Sequence, residues 1–515
     1  MSAPARPVKR RRALKYTLLG LGGLTLACCG AVGGLGSWLL ARTKVDTVDD
    51  VDFGNPLHVP ELAEAQVDSD GRRVFDLELG SGSRQFKSGA KTNTWGINGD
   101  YLGPTLRAAR GETVRVNVSN GLPESTSLHW HGMHLPAAMD GGPHQSVAPD
   151  AVWRPEWTID QPAASLWYHP HPHEQTARHV YRGLAGMFIL DDEVEAELDL
   201  PREYGVDDVP LIVQDRQFGD DGQFDEDSSF MGSVGVLGDE LLVNGTHSPY
   251  LEVRTQRVRL RLLNGSNART YNFGFADDRE FDMIASDGGL LSRPHRTDRI
   301  QLTPAERAEI VVEFSPAETV VLRSYEPDLE TDFFQSNTAG GADRFDVLQF
   351  RAAAELRPSP ALPEKLTEIE PLDVSNAKAR SFDMSGFDLN DKAMDMSRID
   401  FGVKTGATEV WEIENRDGNL HNFHVHDVRF QVLSVGGEDP PPQLRGWKDT
   451  VPVFSQSKRV RIAMRFDDFA DPDMPYMCHC HILFHEDQGL MGQFVVLEEG
   501  QEIGSPPTSG GHDHD

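Results

Sequence analysis

"ETVRVNVSN", residues 112–120, decides how the chain is read. Val114, Val116 and Val118 alternate with polar or charged neighbours. That period of two puts one face of an extended strand on a core and the other towards water. Two later stretches share the form: "RVRLRLLNGS" at 257–266 and "TEVWEIENRD" at 408–417. Their closing asparagines are Asn120, Asn264 and Asn415. Nine and eleven residues beyond each come His129 and His131, then Phe273 and Phe275, then His424 and His426. Equal offsets predict three homologous domains, the middle one apolar where its neighbours carry His-x-His.

A second echo links the outer two. "WYHPHPH" precedes "GLAGMFIL", which starts at Gly183, and "MCHCHILFH" precedes "GLMGQFVV", which starts at Gly489. His169 and His171 therefore correspond to His479 and His481. One His-x-His pair arises easily by chance on a surface strand, but four at matched positions do not. Eight histidines converge if the first domain packs on the third.

Cys480 sits between His479 and His481. Adjacent residues of a strand point to opposite faces, so Cys480 should face one site and the two histidines another. Structural zinc prefers spaced ligand pairs and matches this poorly. Eight imidazoles suit copper, iron, nickel or zinc. Cys480, His485 five residues on, and His421 in "HNFHVH" narrow the choice. Two histidines and one thiolate with a weak axial position make a blue-copper electron-transfer site.

Short alternating strands between turns, with 48 Gly and 32 Pro, predict an all-β chain. At 515 residues it has room for about three domains. The expected boundaries are a signal or anchor at 1–45, domains at 50–198, 199–355 and 378–500, a Pro-rich linker at 356–377, and a disordered tail at 501–515. "DLPREYGVDDVP", residues 199–210, reads as a further connector. A net charge of −32 argues against nucleic-acid binding and suits a solvated surface or a cationic substrate. Four cysteines, two of them Cys28 and Cys29, build no disulfide framework. The run Lys9-Arg10-Arg11-Arg12 precedes an uncharged segment at 16–40, the pattern of an export signal or membrane anchor. The body is expected outside the cytoplasm, periplasmic or at the cell surface, and monomeric.

With "HWHG", "WYHPH", "HNFHVH" and "HCHILFHE" in place, the sequence resembles the multicopper oxidases, most closely the bacterial three-domain laccase-like and copper-efflux oxidases. "TWGINGDYLGPTLR", "MDGGP" and "GWKDTV" add to the likeness, which spans about residues 93–497. It implies three cupredoxin-like Greek-key β-sandwich or barrel domains and four coppers: one type 1, one type 2 and two type 3. It further implies four one-electron oxidations of a small reductant (a phenol, an aromatic amine or a metal ion such as Cu(I)) coupled to reduction of O₂ to two waters. Carried over by motif, His421, Cys480 and His485 would hold the type 1 copper, and His129 and His424 the type 2 copper. His131, His169, His171, His426, His479 and His481 would hold the type 3 pair. Asp140 and Glu486 match the proton-relay acids, against plainer readings as a turn residue and a solvated carboxylate.

His134 and His144 are expected to be bystanders, His173 to lie behind the cluster ligands or at the surface, and Cys478 to be a packed residue. "HDHD" at 512–515 is expected to be disordered polar sequence, with binding of stray metal as the alternative. Two departures bear on substrate. Asp417 matches an acidic substrate position of cuprous oxidases, but Asn419 replaces their methionine, and only Met384, Met394 and Met396 lie nearby. Leu490 stands where many relatives carry an axial methionine, with Met491 one place late. Copper-free exported cell-division proteins share the fold, and a binding or structural role without turnover is the alternative.

Overall fold

The computed structural model describes residues 44–226, 234–454 and 458–507. The basic run, the apolar segment at 16–40, Cys28, Cys29 and the "HDHD" tail lie outside the described residues. No described helix is long and apolar enough to cross a membrane.

Thr113–Asn120 is a strand whose valines are buried and whose alternate residues are half-buried. It pairs in parallel with Arg73–Arg84. Arg257–Asn264 pairs in parallel with Asp208–Arg216, and Ala407–Asn415 with Lys378–Ser385. Each of the three has an antiparallel neighbour on its other side. The closing asparagines explain why spacing counts from them. Asn120 Nδ2 donates to the carbonyls of Glu124 and Val147, Asn264 Nδ2 to Arg269 and Leu302, and Asn415 Nδ2 to Asn419 and Val453. Each Oδ1 accepts the N–H two residues on, from Leu122, Ser266 and Asp417. A buried amide with all these partners pins the strand end to the loop that leads into the next strand.

Among the described residues six sheets pack in three pairs, giving three cupredoxin-like modules. Around Val114, Val116, Trp130 and Phe188 lies the first core. Phe273 and Phe275 sit in the second, fully buried. Trp411, Phe423 and Phe494 belong to the third, with Cys478 and Cys480.

Alternation misled in one place. In Arg257–Asn264 the charged face is buried too. Arg259 pairs with Glu195 and Arg261 with Asp208 and Glu309, because the first module covers that face. The expected boundaries also meet exceptions. Asn55–Pro56 joins the edge of the middle module's sheet through Pro249–Thr255, although it falls in the 50–198 segment. Phe345–Arg357 runs two residues into the 356–377 linker, and Asp208–Arg216 begins inside the 199–210 connector.

Candidate metal centres

His129–His131 is an antiparallel neighbour of Ala164–His169, with His129 opposite His169. Asn422–Val425 relates to Tyr476–His479 in the same way, with His424 opposite His479. The two strand pairs meet between the outer modules. His129 stacks on His426 with ring centroids 3.9 Å apart, and His131 on His424 at 3.8 Å. All eight cluster histidines are buried.

Hydrogen bonds fix which nitrogen of each ring faces inward. His129 Nδ1 lies 2.9 Å from the Asp140 carbonyl and His424 Nδ1 2.9 Å from that of Asp449. His169 Nδ1 is 2.9 Å from the Pro170 carbonyl and His479 Nδ1 3.1 Å from that of Cys480. A carbonyl only accepts, so Nδ1 carries the hydrogen and Nε2 keeps its lone pair. His426 Nδ1 reaches Asp140 Oδ2 at 2.7 Å. His131 is reversed: its Nε2 reaches Asp449 Oδ1 at 3.0 Å, which leaves Nδ1 as the inward lone pair.

Lone pairs therefore face one another. His426 and His479 Nε2 are 3.1 Å apart, and His131 Nδ1 and His169 Nε2 3.4 Å. His171 Nε2 is 3.2 Å from His479 Nε2, and His481 Nε2 3.4 Å from His169 Nε2. Ligands about 2.0 Å from a tetrahedral ion would stand roughly 3.3 Å apart, so these separations suit metal binding. Nε2 of His129 and of His424 is buried with no partner at all. Burial foremost, and the crowding of neighbouring imidazoles, hold His131, His169, His424, His426 and His481 well below the ordinary imidazole pKa. They stay neutral, as ligands must. The donors gather as His129/His131/His424, His131/His169/His481 and His171/His426/His479, each within 4.8 Å.

Two acids flank the cluster on different ligands. Asp140 touches His426 and has Oδ1 3.3 Å from His129 Nδ1. Glu486 lies 3.4 Å from His171 Nδ1 and 3.2 Å from His479 Nδ1. At 3% exposure Glu486 is no solvated carboxylate. Asp140 does also close a turn, after Ala137–Met139 and before Gly141 at φ 80°. A Cβ at Gly141 would meet the Leu128 carbonyl at 1.8 Å.

Cys480 turns the other way. Its Sγ is 3.7 Å from His421 Nδ1 and 3.6 Å from His485 Nδ1. His485 rides on a short helix, Leu483–Asp487. His421 Nε2 contacts Asp417 Oδ1 at 3.2 Å, leaving Nδ1 towards the sulfur. Burial pushes the Cys480 thiol up to about 12, so a thiolate there needs a cation beside it. The Cys480 N–H donates to the Leu490 carbonyl, and Leu490 shares its apolar cluster. Met491 pairs across the sheet with His479, on the opposite face.

Neither His134, held between Asp427 and Asp468, nor His144, beside Gln493, joins a donor group, and His173 is partly exposed. Cys478 is packed in the core. Sequence reasoning assigned no role to Asp449, which holds His131 by its side chain and His424 by its carbonyl. The available signal was a Lys-Asp pair inside "GWKDTV", charges where a strand should be apolar.

Family models described as multicopper oxidase match residues 78–195, 224–340 and 363–500. Multicopper oxidase mco of Staphylococcus haemolyticus is 35% identical over 446 residues, 86% of this chain and 92% of its own. Cell division protein FtsP of Shigella dysenteriae is 36% identical over 450 residues, again 86% of this chain and 92% of its own. Among solved structures, a laccase-like multicopper oxidase CueO from Ochrobactrum sp., with oxidase activity towards lignin model compounds and lignosulfonate, superimposes with TM-score 0.78 and 37% identity, covering 86% of this chain and all of that one. The buried donor groups and these relatives agree, and the chain belongs to the multicopper oxidase family of copper-dependent oxidoreductases, which take electrons from a reducing substrate and pass them to O₂.

Proposed function

We propose that the chain is an exported oxidase of small phenols and aromatic amines that reduces O₂ to water at a trinuclear site. The carrying observation is the complete donor set: eleven buried His and Cys side chains in two groups. His421, Cys480 and His485 would hold a type 1 copper. His129 and His424 would hold type 2. His171, His426 and His479, with His131, His169 and His481, would hold the type 3 pair. Bound copper supplies one-electron redox chemistry at the first group and multi-electron reduction of O₂ at the second. One peptide bond on either side joins Cys480 to His479 and His481, so one short backbone serves both groups. Asp140 and Glu486, which contact the cluster histidines His426 and His479, would pass protons to the second group.

Phenols are favoured over Cu(I) by what surrounds His421 and His485. Phe387 is 38% exposed, with its ring 5.7 Å from that of His485. Of the three nearby methionines, Met384 is buried in the core and presents no thioether to a cuprous ion, while Met394 and Met396 are partly exposed. Asp417 is partly exposed beside His421, which supports a metal ion such as Cu(I) as the second reading. A structural role without turnover, suggested by the FtsP relative, leaves the buried lone pairs without purpose. The domain limits from the sequence, amended as above, and a monomer in the periplasm or at the cell surface complete the proposal.

Copper loading should give a blue protein with about four coppers per chain. Oxygen uptake should be faster with a phenol or aromatic amine than with Cu(I). A colourless, fully loaded protein without uptake on any reductant would sink the oxidase reading; faster uptake with Cu(I) would reverse the substrate order.

Leu490 offers no donor atom to the Cys480 group, and Met491 faces away. Leu490→Met should place a thioether there and lower the reduction potential, since an added donor favours Cu(II) over Cu(I). The blue colour should persist. Redox titration of both proteins decides it, and equal potentials mean that another donor already stands beside Cys480.

A further inference from the structure

We propose that Arg307, from the middle module, is a positioning residue for the histidine cluster: its guanidinium locks the Asp449 carboxylate in the orientation that keeps His131 Nδ1 turned inward. This rests on the proposed role of His131 as a copper ligand.

Arg307 is fully buried, and every donor of its guanidinium is used. Nη1 donates to Asp449 Oδ1 at 2.8 Å and to the Ala305 carbonyl at 3.2 Å. Nη2 donates to Asp449 Oδ2 at 2.6 Å and to the Asp287 carbonyl at 3.0 Å. Nε donates to the Ser165 carbonyl at 2.9 Å, on the strand that carries His169. Residues of all three modules thus meet on one planar fork. The two-point contact fixes the plane of the carboxylate as well as its distance, which a lysine cannot do.

Asp449 passes that orientation on. Its Oδ1 receives His131 Nε2 at 3.0 Å and Thr450 Oγ1 at 2.9 Å. Its own carbonyl receives His424 Nδ1. If the carboxylate swung away, His131 would keep only a long 3.4 Å contact to Thr450 Oγ1 and could turn its ring over. Behind the pair stands a second buried layer. Asp287 Oδ1 accepts the Arg307 N–H at 2.8 Å, Asp287 Oδ2 pairs with Lys448 at 2.9 Å, and Lys448 pairs with Glu306 at 2.7 Å.

Gly132 is an independent sign that this spot is built tightly. It follows His131 at φ 85°. A Cβ there would fall 2.6 Å from Asp449 Oδ2 and 2.8 Å from Arg307 Nη2. The glycine of "HWHG" therefore lets the ligand strand run directly against the ion pair. The middle module contributes no ligand to the cluster, yet through Arg307 it sets the aim of one.

The test compares wild type, Arg307→Lys and Arg307→Gln as full-length copper-loaded proteins. Copper is titrated against a competing chelator, with the type 2 Cu(II) electron paramagnetic resonance signal and the blue absorption followed together. Loss of an outer partner of a metal-bound histidine typically costs 10–100-fold in affinity. Cluster copper should therefore bind about tenfold more weakly in Arg307→Lys and about 100-fold in Arg307→Gln, with an altered type 2 signal. Blue absorption and type 1 potential should not move, because Arg307 touches neither Cys480 nor its histidines. Arg307→Lys keeps the buried positive charge, so it carries the test if the glutamine variant does not fold. Wild-type cluster affinity in a folded variant overturns the proposal. Blue and cluster copper weakening in step with the melting temperature also overturns it, since Arg307 is then only a clamp between modules. A wild type without cluster copper overturns the ligand assignment, and this inference with it.

Discussion

Cys480→Ser is expected to yield a folded, colourless protein without oxidase turnover that still takes up cluster copper. The change is small, and the site is buried among Leu490, Ile482 and Phe423. The hydroxyl is no soft anionic donor, so the charge transfer that makes such sites blue disappears. The cluster should not notice. Sγ of Cys480 faces His421 and His485, whereas His479 and His481 point their Nε2 atoms to the other group. Absorption, copper analysis and oxygen uptake on one preparation suffice. Persisting blue colour would remove Cys480 from its assigned place, and loss of all copper would mean that the two groups are not separable.

Asp140→Asn should also be costly to turnover, though not abolish it, and by a different route. The amide oxygen can still accept from His426 Nδ1, so the ligand's orientation survives. What is lost is a group that can take and release protons. Positioned proton transfer commonly contributes 10²–10⁴-fold, and a slowing of about 100-fold in O₂-dependent reoxidation is expected. Colour should not change, since Asp140 contacts His426 and His129 but not the Cys480 group. Stopped-flow reoxidation of the reduced protein reads this directly. An unchanged rate would leave Asp140 as the residue that closes the turn before Gly141.

Much of the site was legible because its chemistry is periodic. His-x-His on a strand places both rings on one face, and the offset from Asn120 and Asn415 repeated because those asparagines make the same contacts. Cys480 was legible for the converse reason, an odd residue on an otherwise even face. Legibility ended where a contact joins distant segments without a spacing rule. Arg307 and Asp449 are 142 residues apart, and nothing local marks them as partners. The same limit hid the burial of Arg259 and Arg261, whose strand reads as half solvated until the first module is laid over it. The helix that carries His485 is five residues long, too short for periodicity to announce it.

The division of the cluster between the outer modules has a consequence for biosynthesis. His131 is made 350 residues before His481. At about 5–20 residues per second, that is roughly 20 to 70 seconds of elongation. Throughout it, the first module can fold with His129, His131, His169 and His171 in place and no counterpart opposite them. Half the imidazoles are a weaker and less selective trap than the closed set, and Cys480 follows His131 by 349 residues. Full chelating power arrives only once the strand that carries His479, Tyr476–His479, has been made. Full-strength metal capture would thereby wait for the third module, and the order of the modules along the chain would act as a timer on when the protein becomes a copper protein.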